Sequence, residues 1–267
     1  MWNGKSVSVV VPAYNEEATV REIVEELFRE TPADEVIVVD NNSTDRTAEE
    51  VGKTRARILT ETRQGYGFAL RKGLENATGD YVVLFDADGN FAAEDIRKLL
   101  EYTDHFDLVK GTRSRPELVE EGVYSPVLLW LVIVANVIVS KFQQFLFRRA
   151  VLTDAGCTLR LFKRDLVRNL LPFVTVGGAH FLVDVTNLAM IANVKIIEVP
   201  VRFTKRRGGY SKHGAFYGLA KIAVNMTLHT IKQRLLSWGG RYRALQRAGS
   251  ETTIDREVAR TTASGRD

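Results

Sequence analysis

Short β-branched runs alternate with longer segments of helical periodicity in the first part of the chain, and this alternation limits the possible architectures. The runs cover residues 6–11, 35–40, 57–60, 81–86 and 108–110. After the first run, apolar residues recur at helical spacing, at Val20, Ile23, Val24, Leu27 and Phe28, which is typical of an amphipathic helix. Similar segments follow at 46–53, 67–77 and 92–102. The pattern predicts an α/β domain with a mostly parallel sheet, whose ligand crevice lies at the carboxyl ends of the strands.

The alternation breaks after Arg113 and resumes near residue 159. A strand is predicted at 159–162, helices at 165–171 and 181–192, and a last strand at 195–203. The final helical pattern, 216–238, sets Leu219, Ile222, Ala223, Met226 and Ile231 against basic residues. We therefore expect a domain over 1–215 with an apolar insert at 116–149, an amphipathic helix at 216–238 and a disordered polar tail at 239–267.

Apolar residues dominate the stretch 123–139 of the insert, but Ser125, Pro126 and Asn136 interrupt it. The uninterrupted run is shorter than the ~20 residues that a spanning helix needs. We predict that the insert lies in a membrane interface or re-enters the membrane without crossing it. The alternative is a helical hairpin packed on the domain or on a second subunit, which leaves a homo-oligomer open.

Charge and cysteine content limit the kinds of partner and the cellular compartment that we expect. The net charge of +4 is mild for a nucleic-acid-binding protein, so we expect no nucleic-acid partner, although a local basic patch facing phosphates or anionic lipid is compatible with it. Cys157 is the only cysteine, which excludes an internal disulfide and a cysteine-based zinc site. The N-terminus lacks a signal-peptide core. These features predict a cytoplasmic protein, peripheral or monotopic on the inner face of the membrane.

Polar residues follow the first two predicted strands, where the crevice is expected. In the segment 12–16, Tyr14 can stack on a base and Glu16 can accept hydrogen bonds from a ribose or a base; the alternative is a strand exit followed by a helix cap. Asp40 begins the polar segment 40–45. An Asx turn would also explain that segment, but Asp40 closes an apolar run, which favours ligand recognition.

Asp86 and Asp88 end the fourth predicted strand. Side chains at positions i and i+2 of a strand point to the same face, so both carboxylates can converge on one cation. Hard oxygen ligands suit Mg²⁺ or Mn²⁺. The alternative is a pair of turn acids that cap the next helix, and the position at a strand's carboxyl end favours the metal site.

Four segments carry a resemblance to a known family. They are VSVVVPAYNEE, VIVVDNNSTDRT, GYGFALRKGLENATGDYVVLFDAD and VKGTRSR, in this order and spacing. Together they resemble the family 2 glycosyltransferases of GT-A fold, a Rossmann-like sheet sandwiched by helices. The later segment VPVRFTKRRGGYSKHG resembles the dolichol- or polyprenyl-phosphate mannosyltransferase-like branch. The resemblance covers residues 6 to about 215.

The resemblance implies roles for individual residues. The nucleotide would be held by Pro12, Ala13, Tyr14, Glu16 and Asp40. The divalent cation would be held by Asp86 and Asp88, with Asn90 beside it where the branch often has Gln. The acceptor phosphate would be held by Arg113, Arg206, Ser211 and Lys212, and Asp88, Arg113, Arg206 and Lys212 would act in catalysis. The sequence departs from the pattern at Thr158, where Gly is usual, which puts the role of Asp154 in doubt.

The resemblance implies an inverting transferase that moves a sugar from a nucleoside-diphosphate sugar to a polyprenyl phosphate at a membrane surface. The donor is left open among GDP-mannose, UDP-glucose and UDP-N-acetylglucosamine. One alternative is a transferase with a sugar or small hydroxylated acceptor, in which Asp154 or Asp184 would serve as base. An inactive nucleotide-sugar-binding membrane scaffold is the alternative from another class. His180 is given no role.

Overall fold

In residues 1–208 and 216–247, which the computed structural model describes, seven strands form one sheet in the order β3-β2-β1-β4-β6-β5-β7. The strands are β1 Val7–Ala13, β2 Glu35–Asp40, β3 Arg57–Thr60, β4 Tyr81–Leu84, β5 Leu108–Thr112, β6 Arg160–Lys163 and β7 Ile196–Pro200. Only β6 runs antiparallel to its neighbours β4 and β5 within this described sheet. The predicted mostly parallel α/β sheet is therefore confirmed.

Helices cover both faces of the sheet. They are α1 Val20–Glu30, α2 Thr47–Gly52, α3 Tyr66–Asn76, α4 Asp95–Leu100, α5 Pro126–Phe147, α6 Arg164–Leu170, α7 Phe181–Ile191 and α8 Phe216–Trp238. Alternate residues of β1 point to opposite faces, so Val10 packs in the core that includes α3, α6 and α7, whereas Val9 and Val11 pack in the core that includes α1 and α4. The predicted stripe on α1 is buried at Val20, Ile23, Val24 and Leu27.

Parallel pairing aligns the carboxyl ends of the first strands. Ala13 of β1 lies opposite Asp40 of β2, and Asp40 lies opposite Thr60 of β3. Leu84 of β4 pairs with Val10 of β1, and the backbone N–H of Phe85 donates to the carbonyl of Val10 at 3.0 Å. The residues that follow these strands are thus brought to one edge of the sheet.

The insert differs from its prediction, because α5 is 22 residues long and apolar enough to cross a membrane by length and composition. The supposed interruptions belong to the helix. The Ser125 hydroxyl caps the N-terminus by accepting from the backbone N–H of Leu128, and Pro126 begins the helix. The Asn136 amide donates to the carbonyl of Val132 one turn earlier. The length argument against a spanning helix is therefore wrong.

The helix α8 has the predicted bounds. Of the predicted apolar stripe, Met226 is buried with Ala223 packed beside it, whereas Ile231 is 37% exposed. Among its described side chains, Thr230 and Gln233 are buried, whereas Leu228 and Leu235 are more than half exposed. The side chains of Leu219 and Ile222 lie outside the description. Residues 239–247, which we placed in a disordered tail, are described, and Tyr242 and Leu245 there are buried in the core. Residues 248–267 lie outside the described part.

Candidate active site

The residues predicted to hold a nucleotide gather at the carboxyl ends of β1 and β2. Pro12 and Ala13 are buried at the end of β1, and Asp40 is buried at the end of β2. Tyr14 follows directly. Asn15 adopts a left-handed backbone conformation with φ of 54°, and its side-chain oxygen accepts from the backbone N–H of Thr44 at 2.9 Å. This contact joins the β1 and β2 loops into one wall of the crevice.

The sequence analysis missed Asn41, which organises the neighbouring loop. Its side-chain amide donates to the carbonyls of Glu61 and Arg63, at 3.0 and 2.8 Å, and its oxygen accepts from the backbone N–H of Gly65 at 2.8 Å. Asn41 therefore holds the segment after β3 beside the segment after β2. A buried Asn that satisfies backbone groups leaves no distinctive spacing in the sequence.

Asp86 and Asp88 lie just beyond β4, which ends at Leu84, and Asp88 is in a turn, so the two residues do not end the strand as predicted. Burial and the negative charge of Asp88 raise the pKa of Asp86 to about 7, and burial also raises the pKa of Asp88. Each carboxylate opposes the ionisation of the other, and a divalent cation bound between them would offset the repulsion between their negative charges. The donor set therefore suits a hard cation such as Mg²⁺ or Mn²⁺.

Asn90 supports this site through Asp88. Its side-chain amide donates to Oδ2 of Asp88 at 2.8 Å, and its backbone N–H donates to Oδ1 at 3.1 Å. Among the described residues, no group of three or more His, Cys, Asp or Glu side chains is arranged to hold a metal ion. Two carboxylates completed by oxygens of a substrate phosphate is the usual manner of Mg²⁺ binding.

Arg206 connects the nucleotide side of the crevice to the two aspartates. Its guanidinium pairs with Asp88 at 3.2 Å and with Glu16 at a shorter separation. Only 21% of the Arg206 side chain is exposed. Of the predicted phosphate-binding set, Arg206 is thus at the site, whereas Ser211 and Lys212 lie outside the described residues.

Arg113 follows β5 and forms a bidentate ion pair with Asp154, with Nε–Oδ2 at 2.8 Å and Nη2–Oδ1 at 3.0 Å. Although burial opposes ionisation, Arg113 holds the pKa of Asp154 at about 2. Burial likewise opposes the Arg113 charge, yet Asp154 raises the pKa of Arg113. The sequence left the role of Asp154 in doubt. In the structure, Asp154 orients Arg113 through these two contacts.

Arg113 also lines a cavity that it shares with the apolar helix α5. The walls combine polar groups near the end of β5 with apolar side chains of α5; they are Arg113, Asp154, Ser114, Thr153, Val119, Tyr124, Phe203, Leu129, Val132, Ile133 and Asn136. The Arg113 guanidinium carbon lies 5.1 Å from the centre of the Phe203 ring. The ion pair of Arg113 with Asp154 and an apolar wall thus face the same space.

Both carboxylates considered as bases are committed to other partners. Asp154 is 2% exposed and pairs with Arg113. Asp184 is fully buried; it accepts from the backbone N–H of Thr175 at 3.1 Å and from Gln233, and Nε2 of His229 lies 2.9 Å from its Oδ1. Neither acid is placed to take a proton from an acceptor hydroxyl. The two acids are structural in this arrangement.

Tyr66 and Thr158 lie beside the aspartates and were not predicted as site residues. The Tyr66 hydroxyl donates to Oδ1 of Asp86 at 2.9 Å and lies 2.8 Å from the Thr158 hydroxyl. The departure from Gly at position 158 was noticed in the sequence, but its contact with Tyr66 spans 92 residues. No local pattern could have linked the two hydroxyls.

Comparison with known proteins identifies the family. The model for glycosyl transferase family 2 matches residues 8–171. An uncharacterised glycosyltransferase of Mycobacterium tuberculosis is 33% identical over 211 residues, which cover 78% of this chain and 90% of that protein. The undecaprenyl-phosphate 4-deoxy-4-formamido-L-arabinose transferase of Pectobacterium carotovorum is 28% identical over 261 residues, covering 90% of this chain and 73% of that protein.

A similar fold occurs in glucosyl-3-phosphoglycerate synthase from Mycobacterium tuberculosis, crystallised with Mn²⁺, UDP and phosphoglyceric acid. The TM-score is 0.64 at 22% identity, covering 86% of this chain and 78% of that one. This likeness shows the GT-A fold. With a family match over more than half of its residues and strand ends that gather the motif residues, the chain belongs to the family 2 glycosyltransferases.

Proposed function

We propose that this glycosyltransferase moves a sugar from a nucleoside-diphosphate sugar to a polyprenyl phosphate at the cytoplasmic surface of a membrane. The observation that carries the proposal is the cavity shared by Arg113 and the apolar face of α5. An acceptor with an anionic head and a long apolar chain matches the chemistry of the two walls, and the cavity, about 10 Å³ in volume, would have to widen to admit it. The similarity to a transferase named for undecaprenyl phosphate supports the same acceptor class.

A phosphate acceptor needs no general base, which agrees with the structure, because Asp154 and Asp184 are already paired with other side chains. A phosphate monoester has a second pKa of about 6, so it arrives largely ionised and needs no base. Its oxygen would form the bond to the anomeric carbon while the bond from that carbon to the diphosphate oxygen breaks, and the diphosphate leaves with the electron pair. Attack from the face opposite the leaving group inverts the anomeric centre.

The residues of this chain would divide the work. Pro12, Ala13, Tyr14, Glu16 and Asp40 would hold the nucleotide, and Asp86 and Asp88, supported by Asn90, would hold Mg²⁺ or Mn²⁺. That cation would neutralise charge on the departing diphosphate. Arg113 would place the acceptor phosphate, and Arg206, Ser211 and Lys212 would bind and neutralise the phosphates.

A transfer assay tests the proposal. Radiolabelled GDP-mannose, UDP-glucose and UDP-N-acetylglucosamine are each offered with Mn²⁺ or Mg²⁺ to wild type and to Asp88→Asn, with polyprenyl phosphate, polyprenol or a soluble hydroxy acid as acceptor. We expect one donor to label the organic phase, with polyprenyl phosphate only, and Asp88→Asn to label nothing. Label confined to a water-soluble acceptor would refute the lipid acceptor and leave the family assignment intact. No transfer from any donor would favour the inactive scaffold.

A further inference from the structure

Three side chains form a directed hydrogen-bond chain that ends on a predicted cation ligand. The Tyr66 hydroxyl is 2.9 Å from Oδ1 of Asp86 and 2.8 Å from Oγ1 of Thr158. An ionised carboxylate only accepts hydrogen bonds, so the single proton of Tyr66 is directed at Asp86. The Tyr66 oxygen can then accept the proton of Thr158. The Thr158 hydroxyl also counts among the hydrogen bonds that lower the pKa of Asp86, so both hydroxyls support this carboxylate.

The backbone around Tyr66 fixes the position of this hydroxyl. Tyr66 begins α3, and the glycines on either side of it press against the segment at Gly177. A Cβ on Gly65 would lie 2.5 Å from the carbonyl oxygen of Gly177, and one on Gly67 would lie 2.8 Å from its carbonyl carbon. The backbone N–H of Phe68 also donates to that oxygen, at 3.2 Å. Close backbone packing thus holds the start of α3.

We propose that Tyr66 is a positioning residue for the cation, with Thr158 as its support. By donating to Oδ1, Tyr66 holds the Asp86 carboxylate in one orientation, in which Asp86 would bind the cation. Thr158 is 6% exposed, so water competes little for its hydroxyl. A glycine at position 158 would supply no donor, and the second link of the chain is therefore a property of this sequence. The inference rests on the proposed cation site at Asp86 and Asp88.

Binding of Mn²⁺ alone tests the inference without turnover. Free Mn²⁺ is counted by electron paramagnetic resonance during titration of wild type, Tyr66→Phe, Thr158→Val and the control Tyr102→Phe, whose tyrosine follows α4 and is 38% exposed. We expect Tyr66→Phe to raise the Kd for Mn²⁺ about tenfold, because a side chain that orients a metal ligand is lost. Thr158→Val should weaken it less, and Tyr102→Phe should match wild type.

A second readout separates positioning from catalysis. In the transfer assay, Tyr66→Phe should raise the apparent KM for Mn²⁺ while kcat at saturating Mn²⁺ stays near that of wild type. A wild-type Kd in folded Tyr66→Phe would overturn the inference. If that variant does not fold, Thr158→Val decides, and a wild-type Kd there would overturn it. Asp86→Asn separates failure of the proposed cation site from failure of the positioning role of Tyr66. Undiminished Mn²⁺ binding in that variant would refute the cation site itself.

Discussion

At the scale of single residues, the pair of Arg113 and Asp154 shows how the proposed acceptor-binding residue is held against the core. Asp154 sits beside a second buried pair, in which Nζ of Lys110 donates to Glu198 at 3.0 Å and to the carbonyl of Asp154 at 3.1 Å. Glu198 also accepts from the backbone N–H of Thr153. Hydrogen bonds thus hold the loop that carries Asp154 against β5 and β7, and Asp154 in turn fixes the orientation of Arg113.

Removing the charge of Asp154 tests this arrangement. We expect Asp154→Asn to lower the free energy of unfolding by on the order of 3 kcal/mol, because it leaves a mostly buried guanidinium without its partner. It should also raise the KM for the acceptor more than the KM for the donor. The control is Glu25→Gln, which breaks an exposed pair with Arg21 and should cost less than about 1 kcal/mol. Urea unfolding measures both variants, and equal costs would contradict the structural role.

The acid limb of the stability profile follows from the same pair. The pKa of Asp154 is lowered from 3.8 to about 2, so its contribution is fully present above pH 4 and is lost as the pH falls toward 2. Asp154→Asn should therefore show a smaller loss of stability than wild type over that range. Unfolding measured from pH 5 to pH 2 checks the sign, and parallel profiles would contradict it.

At the scale of elements, α8 packs on α5 and α7 through polar side chains. The Gln143 amide of α5 donates to Asn187 of α7 at 2.7 Å, and the Asn187 amide donates to Thr230 and Gln233 of α8 at 3.1 and 2.7 Å. Apolar residues of α5 and α8 point outward instead; they include Trp130, Ile138, Phe145, Leu228 and Leu235. An apolar exterior of this extent is typical of a surface that meets a membrane or another protein.

We predict that the exposed apolar face of α5 and α8 contacts a membrane. Trp130 is 69% and Ile138 63% exposed. Burial of each such side chain contributes about 1.5–3 kcal/mol, so Trp130→Gln with Ile138→Gln should weaken binding to anionic liposomes by at least about tenfold. The control is Ile58→Gln, on β3 and 37% exposed. Sedimentation with liposomes measures binding; unchanged binding together with an altered oligomeric state would assign the face to a second subunit.

At the scale of the whole molecule, the proposed cation site at Asp86 and Asp88 would link cation binding to stability. A carboxyl whose pKa is raised on folding favours the folded state while it is protonated, and this contribution is lost as the pH rises from about 4 toward 7. A cation binds the ionised form and competes with the proton. The fold should therefore depend most on the cation above pH 7.

Thermal unfolding with and without Mn²⁺ tests this linkage. Because the pKa of Asp86 is about 7, about one molecule in ten is ionised there at pH 6, so the apparent affinity for Mn²⁺ should be about tenfold weaker than at pH 8. At a fixed subsaturating concentration, Mn²⁺ should raise Tm more at pH 8 than at pH 6. Asp86→Asn should remove most of the gain at both pH values. An equal gain in wild type at both values would contradict the linkage.

Strand and helix alternation, the family and the crevice were predictable from the sequence alone. Local periodicity and the order of motifs carry that information, and strand ends in a parallel sheet must meet at one edge. Asp86 and Asp88 could be chosen for the same reason, because they follow the carboxyl end of β4 at that edge. Their use of a cation remains a proposal.

Other features were decided only by the tertiary structure. Periodicity does not show that Thr230 and Gln233 of α8 pack inward, which depends on the polar partners offered by Asn187 and Asp184. The pairing of Arg113 with Asp154 and of Tyr66 with Thr158 joins residues 41 and 92 positions apart. Such contacts arise because the folded backbone brings distant side chains together, and no spacing along the chain encodes them.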